Sequence, residues 1–324
     1  MTDSKEDSGV SERPDLAIVG ELNPDLIVYG APQELPEERE ILASGFTLTL
    51  GSSSAILAHN LSLLGTKVTF SSRVGPDALG EMCCTWLREA GVDVTHVVRT
   101  TSGSSTGVTF ILPLTATRRI LTYPGAMFEM GIEDLDLDFL GSARHFHLSS
   151  LFLHRKLSPD IPELFREMKR RKLTTSLDTN DDPEDKWDGV LEDVLPLVDV
   201  LLCTENELAK IAKVKPAAEH VAAKVPVLVV KRGARGASAY SEGHRVDVPS
   251  LRVDVKDTVG AGDTFDAGFL HQWVQKAPLE RCVAYGNLTG GLSVTRPGGT
   301  EAFRDSAYRE RFLSQHWREG RLVQ

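Results

Sequence analysis

Short, almost wholly apolar runs recur along the chain, and longer segments with apolar positions at helical spacing lie between them. DLAIVGE, TKVTFSS, TTSLDT, VDVLLCT and VPVLVVKRG are the strand-like runs, while residues 77–90, 159–171 and 205–212 read as amphipathic helices. Strands apolar on both faces suit a parallel sheet covered on each side. Their alternation with helices predicts a doubly wound, mainly parallel α/β sheet flanked by helices. Two stretches depart from the alternation: residues 24–48, and residues 106–123, where GVTFILPL and RRILTYPG flank a short polar turn. They predict a small β-sheet lid inserted in one domain rather than a separate module, since neither repeats nor linkers appear. From Asp257 the pattern turns helical, over residues 262–275, 278–295 and 304–317, with the loop TRPGGT reversing the chain between the last two. The organisation expected is a disordered acidic tail at 1–14 and one domain over 15–324.

Composition narrows the partners. With 324 residues, 41% hydrophobic and 25% charged, the chain can bury one substantial core, and its formal net charge of −10 provides no basic surface for nucleic acid. No apolar run reaches the roughly 20 residues needed to cross a bilayer, and the polar start lacks signal-peptide character, so a cytoplasmic location without membrane contact is expected. Cys83, Cys84, Cys203 and Cys282 have no metal-ligand spacing and read as reduced, buried thiols. His145 and His147 alternate on an apparent strand, but with no third ligand they read as structural or pocket-lining. Arg118 and Arg119 lie beside the hairpin turn and read as solvated, the alternative being contact with an acidic or phosphorylated substrate.

The segment VKDTVGAGDTFDAGFLHQWV sets Gly260, Ala261 and Gly262 directly before an acid that opens an amphipathic helix. Small residues let backbone N–H groups approach a ligand, and a helix N-terminus favours an anion, phosphate above all. Asp263 stands where a carboxylate beside an attacking hydroxyl is needed for phosphoryl transfer. Taken alone, the string equally fits a structural turn with Asp263 as a helix cap. Neither a Walker A string nor a complete GxGxxG fingerprint occurs, which argues against P-loop ATPases and NAD-binding enzymes.

The extended string resembles the C-terminal signature DTxGAGDxFxAG of the ribokinase-like (PfkB) carbohydrate and nucleoside kinases. It runs from Asp257 to Phe265 and continues at Ala267 and Gly268. The resemblance extends in order through GELNPDLIVYG, GSSSAILAHNLSLLG, SRVGPDALGE, TENE, VVKRGARGA and SVTRPGG. It implies a ribokinase-like fold and an ATP- and Mg2+-dependent kinase. Asp263 would be the general base, and Gly260, Ala261 and Gly262 the anion hole for the transferred phosphoryl group. Asn23 and Asp25 would hold sugar hydroxyls together with Gly51 and Ser52, although Asn-Pro-Asp is also an ordinary turn. Asp257 would help hold a monovalent cation such as K+ beside residues 294–299, or else brace the loop.

On the nucleotide side the resemblance assigns Glu207 to magnesium-bound water, with Thr204, Lys231, Gly233 and Asn287 contacting ATP. Three positions depart from the family pattern. Ser52 replaces the second glycine of the first signature, Ile56 replaces a sugar-binding Asn, and Thr204 replaces the Asn of NxxE. The substrate expected is therefore a free sugar or sugar acid in a pocket less polar near Ile56. The alternatives are a nucleoside kinase or a catalytically weakened sensor of the same fold. The lid implies a homodimer, because relatives often pair its apolar face and open edges with a second subunit.

Overall fold

The apolar runs assemble into one nine-stranded sheet. The computed structural model describes residues 13–114 and 117–324, so the expected tail lies, up to residue 12, outside the described residues. The strands are β1 Leu16–Val19, β2 Pro24–Tyr29, β3 Gly45–Leu50, β4 Val68–Val74, β5 Val97–Arg99, β6 Val108–Pro113 and β7 Arg118–Tyr123. They continue with β8 His145–Ser149, β9 Thr174–Asp178, β10 Val200–Thr204, β11 Val227–Lys231, β12 Ala237–Ser241 and β13 His244–Val248. The large sheet has the order β13-β12-β11-β10-β9-β8-β1-β4-β5. It is parallel from β11 to β5, and β12 and β13 add an antiparallel hairpin at one edge.

Strands β1, β10 and β11 are continuously apolar because each supplies two cores at once, whereas β4, β8 and β9 also carry buried polar side chains. In β1, Ala17 and Val19 join the cluster containing Phe146, Phe165 and Met168, while Leu16 and Ile18 join the one containing Phe70 and Phe269. β10 divides in the same way, with Leu201 and Cys203 on the first side and Val200 and Leu202 on the second. Each such side chain contributes about 1.5–3 kcal/mol relative to exposure. Helices Ala78–Glu89, Ile161–Arg170 and Glu205–Ala212 cover the sheet close to their predicted positions. All four cysteines are free and buried. Among the described residues no helix is long and apolar enough to cross a membrane.

A second, four-stranded sheet has the order β3-β2-β6-β7 and forms the lid. One face turns inward, where Ile27 and Ile111 pack with Val259 of the GAG loop. The register places Phe46 opposite Val28, Leu48 opposite Leu26, and Leu121 opposite Phe110 on the other face. That face is open, with Phe46 and Leu121 each more than two-thirds exposed.

Candidate active site

The GAG loop is fixed by two demands that only glycine meets. Gly260 precedes helix Ala261–Val274 at φ +70°, and a Cβ there would fall 2.5 Å from the Cα of Gly299. The helix then opens with first-turn N–H groups that lack i−4 acceptors and face a ligand space. Asp257 laces this loop to the next, accepting from Val259 N at 3.0 Å and from Gly298 N at 2.9 Å. Lys256 N donates to the Val294 carbonyl at 2.7 Å and continues the lacing.

Asp263 lies in the first turn of that helix. Burial raises its pKa to about 6, with Asp178 and Glu21 adding to the rise and Lys231 and a Ser53 hydrogen bond opposing it. Such a carboxylate is ionised at neutral pH yet basic enough to accept a hydroxyl proton.

The chain after β1 builds the substrate side. Asn23 and Asp25 are both buried. Ser52 Oγ accepts from Asn23 N at 2.9 Å and donates to Asn23 Oδ1 at 2.6 Å, while Asn23 Nδ2 reaches Thr109 of the lid at 3.2 Å. Ser52 adopts φ +67°, which explains a family preference for glycine there; its two bonds to Asn23 oppose the strain. Asp25 is pushed up to about 7, first by burial and then by the charge of Asp263. Arg118 lowers it and so faces this carboxylate electrostatically from the inner side of the lid, whereas Arg119 turns away to the Gln33 carbonyl.

Ile56 lies against Gly260 and Gly299, so it packs the two loops together. One turn later Asn60 completes the same junction, donating to Thr264 Oγ1 and to the Gly299 carbonyl, each at 2.9 Å. Glu21 is a further buried acid, accepting from Ser54 and Ser150 at 2.7 Å each.

Beyond the GAG loop lies a cavity of about 650 Å³, lined by apolar side chains such as Leu251, Val253 and Phe265 and by Gly233, Ala261 and Gly262. Its size and its anion-friendly end suit a nucleotide. Thr204 and Glu207 form a reciprocal helix cap: Thr204 N donates to Glu207 Oε2 at 2.7 Å and Glu207 N to Thr204 Oγ1 at 3.3 Å. Glu207 Oε1 has no such role, and burial raises the pKa of the group. Among the described residues no three acidic, His or Cys side chains form a metal cage.

Asn287 lines the cavity but binds the Val248 and Pro249 carbonyls through Nδ2, leaving its carbonyl oxygen for a ligand. Lys231 is buried rather than solvated, and its Nζ contacts Asp178 at 2.6 Å and Asp266 at 2.9 Å.

The structure therefore groups Asn23, Asp25, Gly51 and Ser52 on one side of the GAG loop and Asp263, with Lys231, Gly233, Thr204, Glu207 and Asn287 on the other. Glu21, Asn60, Asp178 and Asp266 complete the arrangement without having been singled out in the sequence. Asp266 carried one signal, an acid within the small and apolar run FDAGFL, while Asp178 lies in the polar strand TTSLD and carried none. His145 and His147 form a buried chain instead: Ser176 Oγ bridges the two rings at 2.7 Å each, and Ser149 closes it.

The profile described as pfkB family carbohydrate kinase matches residues 13–305. The chain belongs to the PfkB family of carbohydrate kinases, and it is an ATP-dependent sugar kinase. Among curated relatives, a 5-dehydro-2-deoxygluconokinase of Geobacillus kaustophilus is 26% identical over 84% of this chain and 86% of its own length. An ATP-dependent ribose-1-phosphate kinase of Halopiger xanaduensis is 30% identical over 78% and 82%. Solved structures agree in fold. An Arabidopsis thaliana ribokinase complexed with ribose and ATP superposes with TM-score 0.77 at 22% identity, covering 93% of this chain and 98% of that one. An E. coli structure assigned as ribokinase II, in complex with ATP and Mg2+, gives 0.82 at 23%, covering 94% and 100%.

Proposed function

We propose that the protein transfers the γ-phosphoryl group of ATP to a hydroxyl of a free sugar or sugar acid, with Asp263 as general base and Gly260–Gly262 as anion hole. The observation that carries this reading is the place of Asp263. It directly follows Ala261 and Gly262, which line the nucleotide-sized cavity, its charge adds to burial in raising Asp25 of the buried polar cleft, and burial raises its own pKa to about 6. Asn23 and Asp25 hold vicinal hydroxyls, and Asp263 takes the proton as the oxygen attacks. The helix N-terminus receives the charge on the moving group. Bound Mg2+ supplies charge neutralisation on the phosphates, with Glu207 holding its water; Thr204, Gly233 and Asn287 line the nucleotide space. Asp257 supports K+ only through the lone pairs that its two backbone bonds leave free.

An acidic sugar is favoured by one cation of the lid, because Arg118 lies with Ile120 on the face that carries Asp25 and its charge lowers the Asp25 pKa against burial. The names of the relatives point the same way, to a sugar acid and a sugar phosphate. Residues 15–324 act as one unit in the cytoplasm, and the open lid face with Phe46 and Leu121 pairs with a second copy. A panel of sugars, sugar acids, sugar phosphates and nucleosides assayed for ADP release tests the reading. Turnover highest with a sugar or sugar acid supports it. Highest turnover with a nucleoside, or binding without turnover, replaces it with the corresponding alternative.

A further inference from the structure

Lys231 ends β11 with its ammonium buried between two acids from different elements. Asp178 closes β9 and Asp266 lies one turn beyond Asp263 on helix Ala261–Val274, and their side chains are 1% and 0% exposed against 9% for the lysine. Burial pushes the Asp266 carboxyl well above its ordinary value, and the charge and hydrogen bond of Asp178 add to the rise against the lysine's pull. Lys231 and ionised Asp178 then make a neutral pair. Glu207, Asp263, His147 and Cys203 are the other titratable groups facing it.

An ammonium has three donors. Two are engaged by the aspartates, and the third has no protein partner among the described residues. Lys231 lines the nucleotide cavity, and its Nζ would stand 3.5 Å from a Cβ placed on Gly262, within the anion hole itself. A strand-end lysine serving solubility would extend into water. One serving stability alone would gain little, since a buried ion pair is often replaceable by apolar groups without loss. What the two clamps provide is a donor held still at the point where phosphoryl charge develops.

We propose that Lys231 is a catalytic cation whose third N–H donates to the phosphoryl group during transfer, with Asp178 and Asp266 as its positioning residues. The inference rests on the Asp263 reading above. In the step assisted, the bond from the γ-phosphorus to the β–γ bridging oxygen breaks and that electron pair leaves with ADP. A bond forms from the sugar oxygen to phosphorus, and its proton passes to Asp263. Lys231 stays protonated throughout.

K231M leaves Asp178 charged, buried and alone, and it can unfold. The decisive variant is therefore the double D178N/K231M, which removes both charges together. Its thermal midpoint is expected within a few degrees of the parent, with kcat lower by about 10²–10³ and the sugar KM within about threefold. A folded double variant with kcat within threefold of the parent overturns the proposal. If D263N meanwhile loses turnover, the base assignment stands and only the role of Lys231 falls. In the unmodified protein, the 15N resonance of the Lys231 ammonium is expected to shift when ADP and aluminium fluoride are added to the protein with sugar and Mg2+. An unmoved resonance at saturation overturns the proposal whether or not the variants fold.

Discussion

A Cβ on Gly51 would fall 2.0 Å from Oδ1 of Asp25 and 2.8 Å from its backbone nitrogen, so the glycine is the wall against which the carboxylate proposed to bind sugar is set. Gly51→Ala must displace Asp25. Losing a charge-assisted hydrogen bond costs about 1.5–3 kcal/mol, which corresponds to roughly 10–100-fold in affinity. Steady-state kinetics should show the sugar KM rising by about that factor while the ATP KM stays within about twofold. An ATP KM that rises equally would place the disturbance elsewhere.

Ser52 separates strain from bonding. Ser52→Gly relieves the φ +67° backbone but loses both bonds to Asn23, whereas Ser52→Ala loses the bonds and keeps the strain. The alanine variant is expected to be less stable than the glycine variant by about 1 kcal/mol. Both should raise the sugar KM several-fold. Chemical denaturation compares the two, and equal stability would contradict a strained Ser52.

Much of the fold was legible because strands such as β1, β10 and β11 are apolar on both faces, and the helix starts at Asp77 and Thr204 carry capping residues. The hairpin of β12 and β13 was not, since ASAYS and HRVDV mix small and charged residues that a sheet edge tolerates. In the site, the GAG string stood out by local chemistry, whereas the Asn-Pro-Asp segment reads alone as an ordinary turn and was marked by the family resemblance. The same resemblance assigned Lys231 to ATP, but its clamp was hidden, because its partners Asp178 and Asp266 lie 53 and 35 residues away in sequence. Ile56 misled for a related reason. Its substitution for an amide reads as a change in the sugar pocket, while its side chain packs the two glycine loops together.

Burial raises Asp25 and Asp263 most and the charge of Glu21 adds to both, so Glu21 should contribute to the acid limb of activity. Both acids stand above their ordinary value of 3.8, at about 7 and about 6. Their protonated forms therefore favour the folded state. That contribution is full below pH 4 and lost as the pH rises through 6 and 7. Glu21→Gln removes a like charge and lowers both pKa values. The acid limb of kcat/KM should move down by about 0.5–1 pH unit, and the unliganded protein should lose less stability between pH 4 and 7. An unmoved or upward-shifted limb contradicts the assignment.

Glu207 has one observed role and one proposed role. Its Oε2 caps the helix, a task that the amide oxygen of Glu207→Gln can also perform, whereas holding magnesium-bound water draws on the charge. The glutamine variant should keep its thermal midpoint and require about tenfold more Mg2+ for half-maximal rate, while Glu207→Ala should also lose about 1 kcal/mol of stability. A glutamine variant with unaltered Mg2+ dependence would leave only the cap.

The central claim, that Asp263 is the base, is tested by kinetics and ATP calorimetry on Asp263→Asn. The amide preserves the shape and the helix start but accepts no proton. Turnover with the best substrate of the panel should fall by about 10³-fold, while ATP affinity stays within about threefold. A variant that turns over within tenfold of the parent would contradict it.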